Sequence, residues 1–413
     1  MSNGRFKRAG PTHRPRRNGY APRSERLPQF IDMPPGADSA LDNLTVGVIG
    51  AGSIGRRIVD RLARLQISAL YIVDSGRFKP ESLLTHPVGV EDVRKRAWKA
   101  RSAAHLSAEL SPLTSAYFYN GPVQELDMAA FVNADLLAVA TDNLAAEVAT
   151  AQRCLQLRKP LVHAAVHGAS LVAQVRWYTN SGSGPCIRCG FSELEKQHLD
   201  SNTEFSCSGV TGQQRLKRAG GPPTMSVASL CSMAADLAVM SILRYALKLA
   251  APLTDSQIEF CGYTNQTVVS PLRPKSDTCP CSHAAWKIER STKPLRSTSL
   301  RELITAAGGN GSMNGLAVQV DDRLFVEVAA CSDCGYRPVR KFVLPGKKAG
   351  FCRCGKAIYA QPFFSHRLVP VSVVKDVLDR PLCRIGAGGA RGVLVRDAQR
   401  AVLFVDNSER SMQ

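Results

Sequence analysis

The chain has 413 residues, 44% of them apolar, and carries 53 Lys and Arg against 34 Asp and Glu, a formal charge of +19. That length supports two or three domains, and the apolar share is that of a globular protein rather than a disordered or fibrous one. The longest apolar helical stretch, about Thr224 to Ala250, holds Asp236, Arg244 and Lys248, so it reads as a core helix and not a membrane span.

Much of the positive charge lies at the N-terminus of a tail at 1 to about 38, where Arg5, Lys7, Arg8, Arg14, Arg16, Arg17, Arg23 and Arg26 face only Glu25 over residues 5–26. A Pro/Gly/Arg-rich segment without apolar periodicity is expected to be disordered. It suits contact with nucleic acid or an acidic partner, or simple solubilisation. It has neither the apolar core of a signal peptide nor the amphipathic pattern of a transit peptide, which points to the cytoplasm.

The stretch Thr45 to Asp74 follows. Thr45-Val46-Gly47-Val48-Ile49 is an apolar run ending in Gly50-Ala51-Gly52-Ser53-Ile54-Gly55. Ile54, Ile58, Leu62 and Leu65 then recur at helical spacing, and Ala69 to Val73 forms a second apolar run closed by Asp74. Strand, Gly-x-Gly-x-x-Gly turn, helix and acid-tipped strand make a nucleotide-binding βαβ unit. The alternative for the glycines is close helix–strand packing alone. Beyond it, Arg77 to Ala100 predicts a loop with a short helix, Ala100 to Leu110 a helix, and Ser115 to Tyr119 a strand. Leu136 to Ala140 is a buried strand ending at Thr141-Asp142-Asn143, followed by a helix at Leu144 to Leu157 and a strand at Pro160 to Val166. The α/β rhythm predicts a doubly wound sheet, with Asp74 and Asp142 at one crevice.

The thirteen cysteines fall partly into close pairs. Cys186 and Cys189 with Cys279 and Cys281 predict a structural zinc site, in which His283 is an alternative to one member of the second pair. Cys331 and Cys334 with Cys352 and Cys354, each pair followed by a glycine, predict a second zinc site of ribbon type. It would staple a small C-terminal unit rich in basic residues, open to nucleic acid or to a protein partner. In that unit Leu300 to Ala307 reads as a helix, and Leu316 to Val320 with Leu324 to Val328 as a hairpin. His163 and His167 read as structural histidines. Cys207, in a Ser/Gly-rich loop near Arg215, Lys217 and Arg218, has the setting of a thiolate nucleophile.

Together these residues resemble the ThiF/MoeB superfamily of adenylating enzymes, over roughly Leu41 to His283. The glycine loop matches the family's, Asp74 stands at its ribose-binding aspartate, and Lys99 lies one residue from the place of its phosphate lysine. Thr141-Asp142-Asn143 resembles its magnesium-holding Thr-Asp-Asn, Pro185-Cys186-x-x-Cys189 with Cys279-Pro280-Cys281 its zinc knuckle, and Ser206 to Val210 its cysteine loop. The resemblance implies ATP, bound through Gly50, Gly52, Ser53, Ile54, Gly55, Asp74, Lys99, Asp142 and Asn143, with Mg2+ on Asp142. It implies adenylation of the C-terminus of a ubiquitin-like protein and passage of the acyl group to Cys207. A homodimer and a ubiquitin-conjugating-like partner enzyme go with it, as in bacterial ubiquitin-like conjugation operons of antiviral defence. Sulfur-carrier activation for thiamine, molybdopterin or tRNA thiolation is the alternative within the family, and a non-catalytic nucleotide-binding scaffold the alternative outside it. Two departures bear on this choice. Thr85 stands where the family has an arginine, with Arg56, Arg94, Lys95 and Arg96 as basic neighbours, and Gly76 replaces a second acid. The resulting division is a basic tail at 1–38, an adenylation domain at 39–290 and a zinc-ribbon domain at 291–413.

Overall fold

The computed structural model describes residues 5–10, 36–192, 195, 196, 199, 226–249, 254–308 and 315–406. They form two compact units, one within 1–124 and 133–284 and one within 125–132 and 285–413. A linear boundary near 290 does not convey that the short segment 125–132 belongs with the second unit.

The first unit is an α/β fold around a nine-stranded sheet. Strands β2 (Thr45–Ile49), β3 (Ala69–Val73), β4 (Ser115–Tyr119), β5 (Leu136–Val139) and β6 (Leu161–His167) are parallel, in the order β4-β3-β2-β5-β6. They are the apolar runs of the sequence, and β2 and β5 are buried along their whole length, as parallel strands covered on both faces are. Beyond β6 the sheet turns antiparallel through β7 (Val172–Tyr178), β8 (Ser256–Cys261) and β9 (Gln266–Pro271). At the opposite edge β1 (Lys7–Ala9) pairs antiparallel with β4. The expectation of a wholly disordered tail fails here, because Phe6 packs its ring on Tyr71 with centroids 4.9 Å apart and Ala9 is buried.

Helix α1 (Gly55–Arg64) follows the glycine loop and buries Ile58, Val59 and Leu62. The helix Ala228–Ala246 is long and apolar enough to cross a membrane by composition. Here it packs on β6, β7 and α1, with Leu230, Ala234, Ala235, Ala238 and Ile242 inside the main core. The predicted loop-and-helix segment holds two short helices, Ser82–Thr85 and Val90–Arg94, and a longer helix spans Lys99–Leu110.

The second unit contains two five-stranded sheets. In the first, β10 (Lys287–Arg290) runs parallel to a strand at Ala401–Val405. The expected hairpin between Leu316–Val320 and Leu324–Val328 does not form. Strand β11 (Ala317–Val320) pairs with strands at Val369–Pro370 and Gly392–Arg396, whereas β12 (Leu324–Cys331) pairs with β13 (Gly335–Val343), with β15 (Ala357–Ala360) and with Ser365–His366. Asp321 is the reason. It is buried, and its carboxylate accepts from the amides of Arg391 (2.7 Å) and Gly392 (3.0 Å), holding the turn against the Gly392 strand. Burial pushes that carboxyl up to about 6. Strand β14 (Lys348–Phe351) completes the second sheet by pairing with β15.

Candidate functional site

The crevice lies at the carboxyl ends of β2, β3 and β5, where the chain leaves the sheet on opposite sides. The three glycines of the loop divide their work. Gly50 has φ of 89°, and a Cβ on it would sit 2.4 Å from the Ala140 carbonyl; a Cβ on Gly55 would sit 1.8 Å from the Gly50 carbonyl. Gly50 is therefore fixed by close packing on the end of β5, and Gly55 by close packing of the helix start on the end of β2. Gly52 is different: the nearest atom to its Cβ position is Nε2 of His86, at 3.7 Å. Among the described residues nothing accepts from the amides of Gly52, Ser53 and Ile54. Free donors at a helix N-terminus beside an open glycine form a cradle for an anionic group.

Asp74, at the tip of β3, clips this loop in place. Its carboxylate accepts from the Ala51 amide (2.7 Å) and from the Gly76 amide (2.6 Å). Gly76 also lets Lys99 lie across the turn, since a Cβ there would come 3.5 Å from the lysine Cδ and 3.0 Å from an Asp74 oxygen. Lys99 starts its helix with its amide bonded to the Gly76 carbonyl (3.0 Å). Asp142 is exposed beyond β5, next to the Ala140 carbonyl that meets Gly50. The Asn143 side chain is taken up as an N-cap, accepting from Ala146 (3.0 Å). The crevice thus gathers Gly52, Ser53, Ile54, Asp74, Lys99 and Asp142. Cys207 lies outside the described residues.

Two residues here, Arg57 and His86, escape sequence reasoning. Arg57 donates to the Ser53 carbonyl, to the Thr85 carbonyl (2.7 Å) and to Ser232 Oγ (2.7 Å), tying loop, short helix and core helix together. Arg56 is buried and spent on the Pro87 carbonyl and Ser102 Oγ. Arg94 and Lys95 both pair with Glu91, and Arg96 accepts from Arg77 through its carbonyl. The basic neighbours named for the missing arginine are thus largely engaged elsewhere. The second residue is His86. Its Nδ1 lies 3.0 Å from Thr85 Oγ1, while its Nε2 is buried with no partner. Burial first, and then the charges of Lys99, Arg57 and Arg56, push its pKa down to about 3. The ring is therefore neutral, and its buried Nε2 faces Gly52, carrying the proton in the tautomer in which the Thr85 hydroxyl donates to Nδ1.

Each unit also holds one thiol cluster. In the first unit, ligand atoms of Cys186, Cys189, Cys279 and His283 lie within 4.8 Å of one another. Cys186 Sγ is 3.8 Å from Cys189 Sγ and 3.7 Å from Cys279 Sγ, and Cys189 Sγ is 3.7 Å from His283 Nε2. The fourth member is His283 rather than the expected Cys281. Cys279-x-x-x-His283 has ordinary ligand spacing, whereas Cys279-x-Cys281 is tight; Cys281 stays in contact with Cys186 and is outside the mutual set. In the second unit Cys331, Cys334, Cys352 and Cys354 converge as expected within the same limit, with Cys331 and Cys354 Sγ 3.5 Å apart. The Cys354 amide and the Arg337 guanidinium push the Cys352 thiol down to about 6, and contact with Cys354 and Cys352 pushes Cys334 up to about 12. Thiolates so close repel one another unless a cation sits among them. Three cysteines with a histidine, and four cysteines, are both donor sets for Zn2+.

A model of the ThiF family matches residues 25–281. "Adenylyltransferase and sulfurtransferase MOCS3" of Dictyostelium discoideum is 30% identical over 176 residues, 42% of this chain and 40% of the relative. The protein of that name in Oryza sativa subsp. japonica is 24% identical over 242 residues, 58% of this chain and 43% of the relative. The chain thus spans about two fifths of the length of these curated relatives. Escherichia coli MccB is similar in structure at 17% identity, with a TM-score of 0.46 over 60% of this chain and 67% of MccB. The family match takes in the glycine loop, Asp74, Lys99, Asp142 and the first thiol cluster up to Cys281, and on it the chain belongs to the ThiF family.

Proposed function

We propose that this chain is an adenylyltransferase that activates the C-terminal carboxylate of a small carrier protein with ATP and Mg2+. The observation that carries the reading is the asymmetry of the loop. Gly50 and Gly55 are closed by packing, whereas Gly52 opens onto unpaired amides beside Lys99 and His86. That arrangement suits a polyphosphate. The amides of Gly52, Ser53 and Ile54 and the Lys99 ammonium would face phosphate oxygens, and Asp142 would hold the metal. Asp74 would meet the ribose with the lone pairs left by its two amide bonds. A carrier carboxylate oxygen attacks the α-phosphorus, the bond to the β-phosphate oxygen breaks, and pyrophosphate leaves. Such a step requires charge stabilisation more than an acid or base. His86, in the tautomer with its proton on Nε2, would supply a neutral donor where the family carries an arginine one residue earlier. ATP–pyrophosphate exchange in the presence of a ubiquitin-like carrier tests the reading.

The fate of the acyl group divides two finer readings. The name of the MOCS3 relatives, adenylyltransferase and sulfurtransferase, favours a sulfur carrier. The Ser206 to Val210 loop favours transfer to Cys207, with a homodimer and a conjugating enzyme of a ubiquitin-like pathway. A carrier–enzyme adduct that is cleaved by thiol and lost in Cys207→Ala supports the second. A carrier that exchanges a carboxylate oxygen for sulfur supports the first. We also propose Zn2+ as the resident of both thiol clusters, in a structural role, because four protein ligands leave no open position.

A further inference from the structure

The sheet of β12 to β15 has two unlike faces. One covers a small core that includes Val326, Ala329, Ile358, Cys331 and Cys352. The other is open. Register places Tyr336 of β13 opposite Ala330 of β12, Ala330 opposite Tyr359 of β15, and Tyr359 opposite Lys348 of β14. Residues paired across strands share a face, so two tyrosines flank a small alanine in one row that ends in a lysine. Tyr336 is 65% exposed, Tyr359 53% and Phe351 63%. Lys348 Nζ lies 4.2 Å from the centre of the Phe351 ring, which brings that ring onto the same face, and Phe364 packs edge-on to Tyr336. Large aromatic rings this exposed lie outside the unit's buried core.

The charge around them is one-sided. Between Leu324 and Pro370 there are eight Lys and Arg and two acids, Glu327 and Asp333. Both acids are consumed within the unit: Glu327 by Arg340 and His366, Asp333 by Lys356. Lys347 and Arg353 flank the row, are exposed and make no ion pair among the described residues. Spaced flat rings with uncompensated cations match a strand of unpaired bases on a phosphate backbone, since every base offers a π-face and each phosphate one negative charge. A duplex hides its base faces and leaves the rings without partners. We propose that this face binds single-stranded nucleic acid, with Tyr336, Tyr359 and Phe351 stacking on bases and Lys347, Lys348 and Arg353 facing phosphates. This site is independent of the crevice and of the adenylation reading.

The test is fluorescence anisotropy of the zinc-loaded full chain with labelled oligodeoxythymidine, oligouridine and a duplex of the same length, titrated over salt. Binding to a single strand in preference to duplex is expected, and the two single-stranded arms tell DNA from RNA. Tyr359→Ala and Tyr336→Ala are each expected to weaken it about five- to hundred-fold, with Tyr359→Phe near wild type. Lys348→Ala is expected to flatten the slope of log affinity against log salt by about 0.7. Zinc content identical to wild type shows that the variants remain folded. Absence of single-strand binding at low salt overturns the proposal. So does binding that ignores the tyrosine substitutions or treats duplex equally, which marks a merely cationic surface such as the N-terminal segment. Tyrosine variants that bind oligonucleotide normally but lose a protein partner also overturn it, and make the face a protein dock.

Discussion

The two thiol clusters offer similar ligands in unlike surroundings, and the contrast shows what a metal is needed for in each. Cys186, Cys189, Cys279 and His283 belong to a unit whose main core runs from Val46 and Ile58 through Ala138 to Ile242. There a metal would pin loops to a fold already held by burial. Cys331 and Cys352 are themselves part of the core of the β12–β15 sheet, which otherwise consists of Val326, Ala329, Val343, Ala349 and Ile358. A core that small does not offset the entropy of ordering four strands, so metal binding there would be folding free energy.

Chelation gives the largest contrast. Removing metal is expected to abolish amide protection throughout β12–β15, while β2, β3 and β5 stay protected; hydrogen exchange read strand by strand checks this. Cys331→Ala is expected to reproduce that loss, and Cys189→Ser to loosen only its own loop. Uniform loss in both units would erase the distinction.

The first unit should be most sensitive to packing. Gly55→Ala drives a Cβ into the Gly50 carbonyl and is expected to destabilise by about 3 kcal/mol or more in denaturant unfolding. Gly52→Ala has room for its methyl group and is expected to lose about 1 kcal/mol of stability or less, while weakening ATP binding measured by calorimetry. Equal destabilisation would mean that all three glycines serve packing.

His86 sharpens the account of the crevice. His86→Ala is expected to raise the KM for ATP about tenfold, the worth of one hydrogen bond to a charged group, and His86→Gln to recover part of it. Proton uptake by this ring is expected near pH 3 rather than 6.5, so its NMR signals should stay those of neutral imidazole at about pH 5. Because the folded pKa is depressed, the group favours the folded state fully above about pH 6.5 and progressively loses that contribution as pH falls toward 3. The smallest effect is at the helix cap. Asn143→Ala is expected to cost about 1 kcal/mol of stability in the same unfolding experiment.

The elements written in strong local patterns were legible. The glycine loop, β2 to β6 and the helix at Leu144–Leu157 all follow apolar period or turn chemistry, and the Cys331 to Cys354 set follows ligand spacing. Other elements depend on tertiary partners. Strands β8 and β9 are half-buried or exposed along most of their length, so they lack the alternation that marks a strand. The Asp321-Asp322 turn looks like a hairpin because the amides that hold Asp321 lie seventy residues away. His283 was legible as an alternative to Cys281, and the loop geometry decides between them. His86 is a lone histidine whose meaning comes from the glycine opposite it.

The most direct measurement is ATP–pyrophosphate exchange with a ubiquitin-like protein encoded beside this gene, for wild type, Lys99→Ala and Asp142→Ala, with ATP binding followed by calorimetry. The account predicts exchange in the wild type and a fall of about 10²- to 10³-fold in each variant, with folding unchanged. ATP binding without exchange, or exchange indifferent to both substitutions, would contradict it and make the crevice a nucleotide-binding scaffold or place the chemistry elsewhere.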